Sequence, residues 1–114
     1  MPRASKIVKA PPAAVEETLR KLGANIRTAR LRRKMRLVDL AEKVGISRYV
    51  MSDIEKGKPS TAIASYLGAV WALGLLDDMK VVADSDHDIE GRILEKARAP
   101  KTAGKRKKEL DNDF

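Results

Sequence analysis

Apolar residues recur at α-helical spacing through the first third of the chain. Between residues 14 and 33 they follow one another at intervals of four, three, four and three, and the other side of this stretch is rich in Lys and Arg. Such a stripe is one face of an amphipathic helix. Its members are Val15, Leu19, Leu22, Ile26 and Ala29. We expect a first helix over about 14–33, after a flexible basic arm over 1–13.

Shorter helical patterns follow, each with its own boundary signals. Helices are predicted over about 37–44, 48–56, 61–73, 78–83 and 88–98. Gly45 and Gly57 end the first two, because glycine accepts the left-handed conformation that closes a helix. Ser47 is a good N-cap for the second, Ser60 for the third and Asp77 for the fourth. No segment alternates as a half-buried strand would, so the predicted fold is all-α.

The predicted inward positions follow the same spacing in the later helices. The third of these short helices is expected to bury five apolar residues, and the fourth to turn two toward the core or a partner. They are Ile63, Tyr66, Leu67, Val70 and Leu73, and then Met79 and Val82. We expect one domain over 14–83, a helical extension over 84–100 and a disordered charged tail over 101–114.

Charge is distributed unevenly along the 114 residues. The net charge is +8, but residues 1–58 hold 15 Lys and Arg against six Asp and Glu, whereas residues 59–100 hold four against seven. A basic half followed by a slightly acidic half suggests a polyanion-binding face and a protein-binding one. A solvated surface without a ligand explains this charge distribution about equally well. The charge therefore indicates nucleic-acid binding only in combination with a motif.

Composition excludes several kinds of chemistry. The chain has no cysteine and one histidine, His87, which removes disulfides, thiolate metal sites and most catalytic triads. No constellation of base, nucleophile and charge stabiliser is present, so we expect neither an enzyme nor a cofactor. No apolar run is long enough to cross a bilayer, and residues 1–14 do not resemble an export signal. The expected location is the cytoplasm, at the nucleoid when the protein is bound to DNA.

The segment from Leu37 to Gly57 carries the functional signal. Two short helices joined by a glycine turn pack crosswise only where selected positions are small or apolar. Here Ala41 is small, Gly45 makes the bend, and Ile46, Met51 and Ile54 fill the space between the helices. The second helix then presents its N-terminal residues outward, as a helix that enters a major groove does. A plain helical hairpin is the alternative, disfavoured because all these positions agree within a basic setting.

This segment resembles the Cro/C1-type helix-turn-helix of phage repressors and XRE-like bacterial regulators. The resemblance covers about residues 22–74 and implies a five-helix, lambda-repressor-like domain. It implies base readout by Arg48, Tyr49 and Ser52, and contacts to the DNA backbone by Arg36, Ser47, Lys56 and Lys58. The family usually has Thr-Gln where this chain has Arg36 and Leu37. Leu37 cannot clamp a phosphate, so the docking register is open.

For individual residues, alternatives remain. Arg48 suits the O6/N7 pair of guanine but serves a phosphate equally well. Tyr49 suits a thymine methyl or a phosphate, or packs on its own helix. Asp53 is expected to face away or to orient Arg48. The resemblance also pairs Arg30 with Glu55 as a structural salt bridge, not a site.

The segment after the core extends the resemblance. The run from Trp71 to Met79 is similar to HipB-like antitoxins, which neutralise a HipA-like kinase toxin and repress their own operon. Trp71, Leu75, Leu76 and Met79 form an apolar cluster that is either core or a homodimer interface. Two functions stay open: a dimeric autorepressor and antitoxin, or a free-standing transcriptional regulator without a toxin partner.

One weaker pattern lies near the end. Asp84, Asp86, Asp88 and Glu95 match calcium-loop positions, but Ile89 stands where the loop needs glycine, so acidic residues at a helix start are the preferred explanation. The operator sequence, the identity of any toxin and the role of the tail are not specified by these patterns.

Overall fold

The computed structural model describes residues 5–99, and over that range the chain forms helices and turns with no strand. The α-helices are α1 (Lys6–Lys9), α2 (Ala13–Arg32), α3 (Leu37–Val44), α4 (Arg48–Lys56), α5 (Ile63–Ala72) and α6 (Ile89–Arg98), and a 3-10 helix spans Leu76–Val81. The all-α prediction is confirmed. The predicted tail over 101–114 lies outside the described residues.

The described residues divide into two compact units, with the boundary between Met79 and Lys80. In the first unit, α4 packs against α2, α3 and α5, so it lies at the centre of the helices around it. Three side chains are fully enclosed at this centre, namely Leu40 of α3 and Met51 and Ile54 of α4. Each fully buried side chain of this size contributes roughly 1.5–3 kcal/mol. The core therefore holds α4 firmly by one face.

Two glycines set the turns on either side of α4. Gly45 has a φ of +86° and ends α3, and the amides of Gly45 and Ile46 both donate to the Ala41 carbonyl. Gly57 has a φ of +72° and ends α4 in the same left-handed conformation. Both ends lie where the glycines predicted them, because the left-handed conformation closes a helix at little cost only in glycine.

A third glycine lets α2 and α4 approach each other. Gly23 is buried in α2, and a Cβ at this position would lie 2.5 Å from the carbonyl oxygen of Ile54. A Cβ at Gly57 would likewise lie 2.5 Å from the carbonyl oxygen of Leu19. A Cβ would clash at either contact. The two helices pack this closely because both positions are glycine. Sequence reasoning assigned close approach to Ala41 and missed this contact.

The start of α5 was predicted wrongly. The helix begins at Ile63 with Ala62 at the N-cap, and Ser60 is not the cap. Instead the Tyr66 hydroxyl donates to the Lys58 carbonyl at 2.9 Å and ties the preceding loop to the helix. Ile63, predicted to be buried, is 72% exposed. Burial of its hydroxyl raises the pKa of Tyr66, and the Asp53 carboxylate adds to the effect.

The predicted fifth helix over 78–83 is also wrong in type and extent. Leu76–Val81 forms a 3-10 helix, and the chain leaves it through Ala83 at a φ of +58°. Val82 is exposed, whereas Met79 packs against the core. Within the predicted arm, Lys6–Lys9 forms one helical turn, and the apolar Val15 of α2 is exposed. None of the described helices is long and apolar enough to span a membrane.

Candidate nucleic-acid interface

The N-terminal turn of α4 presents an exposed face. Arg48 is exposed and Tyr49 is 68% exposed, while Met51 and Ile54 on the other side are fully buried. Ser52, predicted to share the outward face, is half-buried. The helix is thus buried along one side and exposed at its N-terminal turn, so that turn is accessible to a binding partner. Arg48 and Tyr49 are the exposed side chains of this turn.

Arg48 and Tyr49 contact each other. A guanidinium nitrogen of Arg48 donates to the Tyr49 hydroxyl at 3.0 Å, and the guanidinium carbon lies 5.0 Å from the centre of the tyrosine ring. This is the geometry of an exposed cation–π contact, worth about 0.5–1 kcal/mol. Arg48 therefore has a preferred position over the ring, and its remaining N–H groups are available to acceptors.

Ser47 caps the same helix, as the sequence predicted. Its hydroxyl oxygen accepts a hydrogen bond from the Val50 amide at 3.2 Å. Because a hydroxyl has one hydrogen to donate besides the lone pairs that accept, Ser47 can cap α4 and donate to an anion at the same time. The positive end of the helix dipole favours an anion there.

Two of the predicted backbone-contacting cations are held in ion pairs. The Arg36 guanidinium binds both carboxylate oxygens of Asp39, with Nε at 3.1 Å and Nη2 at 3.0 Å, and the Arg36 amide donates to the same carboxylate. These hydrogen bonds raise the pKa of Arg36 and lower the pKa of Asp39. The i,i+3 spacing of opposite charges is the signal that would have predicted this pair.

Lys58 is the second paired cation. Its Nζ lies 3.4 Å from an Asp53 oxygen, so Asp53 pairs with Lys58. Of the two roles expected for Asp53, facing away or orienting Arg48, the second is therefore not observed. Both members of the pair are substantially exposed, and such contacts exchange readily for other ions. Lys56 at the end of α4 is also exposed. Arg36, Lys56 and Lys58 thus remain accessible to an external anion.

The predicted pair of Arg30 and Glu55 is buried. Arg30 Nε lies 2.7 Å from Glu55 Oε2, Nη2 lies 2.9 Å from Oε1, and Nη1 donates to the Met35 carbonyl at 2.9 Å. Arg30 is only 7% exposed. The hydrogen bonds to Glu55 raise the pKa of Arg30. The pair joins α2 to α4 and to the turn before α3, which is a structural role.

The four residues that the sequence left as either core or dimer interface do not share one exposed surface. Trp71 is 60% exposed and Leu75 is exposed, whereas Leu76 and Met79 are partly buried and pack against the core. The exposed apolar surface here is therefore Trp71 and Leu75. α5 itself has no charged residue.

The acidic pattern near α6 has a local explanation. Asp88 caps α6 by accepting from the Gly91 amide at 3.0 Å, and Asp84 lies 2.8 Å from His87. Among residues 5–99, no three carboxylate or imidazole side chains come together so as to hold a metal ion.

Comparison with protein-family models, with curated proteins and with solved structures finds no match for this chain.

Proposed function

We propose that this chain binds DNA in a sequence-specific manner and represses transcription, with α4 as the helix that enters the major groove. The observation that carries the proposal is the asymmetry of α4. Met51 and Ile54 anchor it fully within the core, while Arg48 and Tyr49 extend from its first turn. A major groove about 12 Å wide admits an α-helix, and arginine recognises guanine through two hydrogen bonds. The succession of α3, the Gly45 turn and α4 supports a lambda-repressor-like helix-turn-helix.

Charge and accessibility support DNA as the ligand. The first 58 residues hold 15 Lys and Arg against six Asp and Glu. Arg36 at the start of α3, Lys56 at the end of α4 and Lys58 just after it are exposed. Phosphate contacts of this kind supply affinity through counterion release. The ion pairs of Arg36 and Lys58 would exchange carboxylate for phosphate on binding.

Repression follows from two copies acting on one operator. A homodimer places two recognition helices about 34 Å apart, in successive major grooves of a palindrome. Occupation of a promoter then excludes the polymerase.

Arg48 is expected to contact a base, and Lys58 the DNA backbone, so their substitutions should have different effects. After an operator has been selected from randomised duplexes, Arg48→Ala is expected to reduce discrimination at one base pair by about 1–3 kcal/mol. Lys58→Ala is expected to weaken all duplexes alike and to lower the salt slope by about 1. Fluorescence anisotropy over a salt series, with matched and mismatched duplexes, measures both effects.

Arg92→Ala on α6 is the control, because it removes an exposed arginine far along the chain from α4. It should leave the base preference unchanged. Equal losses from Arg48→Ala on every duplex would refute base readout by Arg48 and leave it a phosphate contact. Failure to select any sequence would refute specific recognition altogether.

An antitoxin role is a second candidate, suggested by the resemblance to HipB-like proteins. The uncharged α5 with its exposed Trp71 offers an apolar contact for a kinase-like partner. Capture of the tagged chain from its host, with and without nuclease, separates the two functions. A stoichiometric kinase-like protein that survives nuclease supports the antitoxin. Recovery of DNA alone supports a free-standing regulator.

A further inference from the structure

The second unit has no buried residue in the part that the structure describes. Over residues 80–99 its large apolar side chains are exposed, among them Ile89, Ile93 and Leu94 of α6. A ten-residue helix has little stability in water by itself, because its few hydrogen bonds barely offset the cost of nucleation. Helices of this length are normally stabilised by packing of an apolar face. We therefore expect α6 to be stabilised by packing against another surface.

The apolar side of α6 forms a continuous stripe. Ile89, Ile93 and Ala97 recur every four residues and lie one above the other on the helix, and Leu94 borders them. Glu95 lies on the opposite side, about 160° away from Ile93 and about 120° away from Ile89. The stripe is wide enough to pack against one other helix.

The charges of α6 indicate which helix that is. Asp88 and Glu90 lie at the N-terminal end, and Lys96 and Arg98 lie at the C-terminal end. A second α6 in parallel orientation would place like charges together. An antiparallel α6 places the acidic end of each helix beside the basic end of the other and also opposes the two helix dipoles. The sequence of α6 is thus complementary to itself in one orientation.

From this complementarity we infer that α6 pairs antiparallel with α6 of a second copy of this chain, with the two Ile93 side chains at the centre. This surface differs from that of Trp71 and Leu75, and the inference does not rest on DNA binding. The pairing is isologous, so it closes a dimer without leaving an open end.

Oligomeric state as a function of concentration tests the pairing. Ile93→Gln is expected to abolish the concentration-dependent dimer of the full chain in sedimentation velocity, because it places a polar group in the stripe. Glu95→Gln is the matched control, since it introduces the same side chain on the opposite face, and it should dimerise like the parent. A parent chain that stays monomeric, or an Ile93→Gln chain that dimerises as the parent does, would overturn the inference.

The orientation of the two helices can be tested separately by disulfide cross-linking. The chain contains no native cysteine, so only introduced cysteines can react. In the antiparallel pair, Ile89 of one copy faces Ala97 of the other, whereas the two Ile89 positions lie about 12 Å apart along the axis. Oxidation of an equimolar mixture of Ile89→Cys and Ala97→Cys chains should therefore give mainly the mixed disulfide. Predominant cross-linking of Ile89→Cys to itself would overturn the antiparallel arrangement.

Discussion

Glu55→Ala is expected to lower the free energy of unfolding by about 3–5 kcal/mol, the largest effect of any single substitution considered for this chain. The Arg30 guanidinium is buried and holds both Glu55 oxygens together with the Met35 carbonyl. Removal of the carboxylate leaves a charged group in the core with one acceptor. Urea denaturation followed by circular dichroism at 222 nm measures the loss.

The chain contains a matched control for this substitution. Glu16 forms an Arg–Glu pair with Arg20 at 2.6 Å on the surface of α2, and both side chains are substantially exposed. Glu16→Ala should cost less than about 1 kcal/mol, since exposed pairs contribute little. Similar losses from the two substitutions would show that burial does not determine how much the Arg30–Glu55 pair contributes to stability.

Gly57→Ala is expected to destabilise the first unit by about 1–3 kcal/mol more than Gly45→Ala. Both glycines end a helix at positive φ, so an alanine at either position carries a similar conformational cost of about 1–2 kcal/mol. A Cβ at Gly45 meets nothing within 4 Å, whereas a Cβ at Gly57 lies 2.5 Å from the Leu19 carbonyl oxygen and 2.6 Å from the Arg20 amide nitrogen. Only Gly57→Ala must push two helices apart.

The two variants differ only in what surrounds the new methyl group, so their comparison isolates the helix contact from the backbone conformation. Thermal and urea unfolding of both chains give the difference directly. Equal destabilisation would mean that α2 can withdraw from α4 at little cost, and the close approach would then not be a determinant of the fold.

Local signals in the sequence predicted the ends of α3 and α4. Gly45, Ser47 and Gly57 act through the conformation and hydrogen bonds of their own backbone, which depend on few neighbours. The same short-range reasoning failed at α5. Ser60 is a good cap in isolation, but the hydrogen bond from Tyr66 to the Lys58 carbonyl fixes the loop so that the helix begins later.

Burial was harder to predict than helical position. Ile63 lies at the same helical spacing as Tyr66 and Val70 but is exposed, because periodicity specifies a face and not the extent of what covers it. Leu76 and Met79 were grouped with Trp71 for the same reason, although they pack inward.

Of the ion pairs formed by α4, one was predicted and one was not. The Arg30–Glu55 pair was expected from the family resemblance, whereas the pairing of Asp53 with Lys58 was not expected. The second contact depends on the path of the chain after Gly57 and on the rotamers of exposed side chains. Helical spacing within α4 could not specify it.

The proposed contact between DNA and the exposed first turn of α4 can be observed directly in an NMR titration of the labelled full chain with a duplex. Amide shifts are expected to change most over residues 47–52, with the Arg48 side-chain Nε–H among them, and to a lesser extent at Arg36, Lys56 and Lys58. Residues of α6 should change little. Shifts concentrated on α5 or α6, or no change in α4 at saturating duplex, would contradict the proposal that α4 reads DNA.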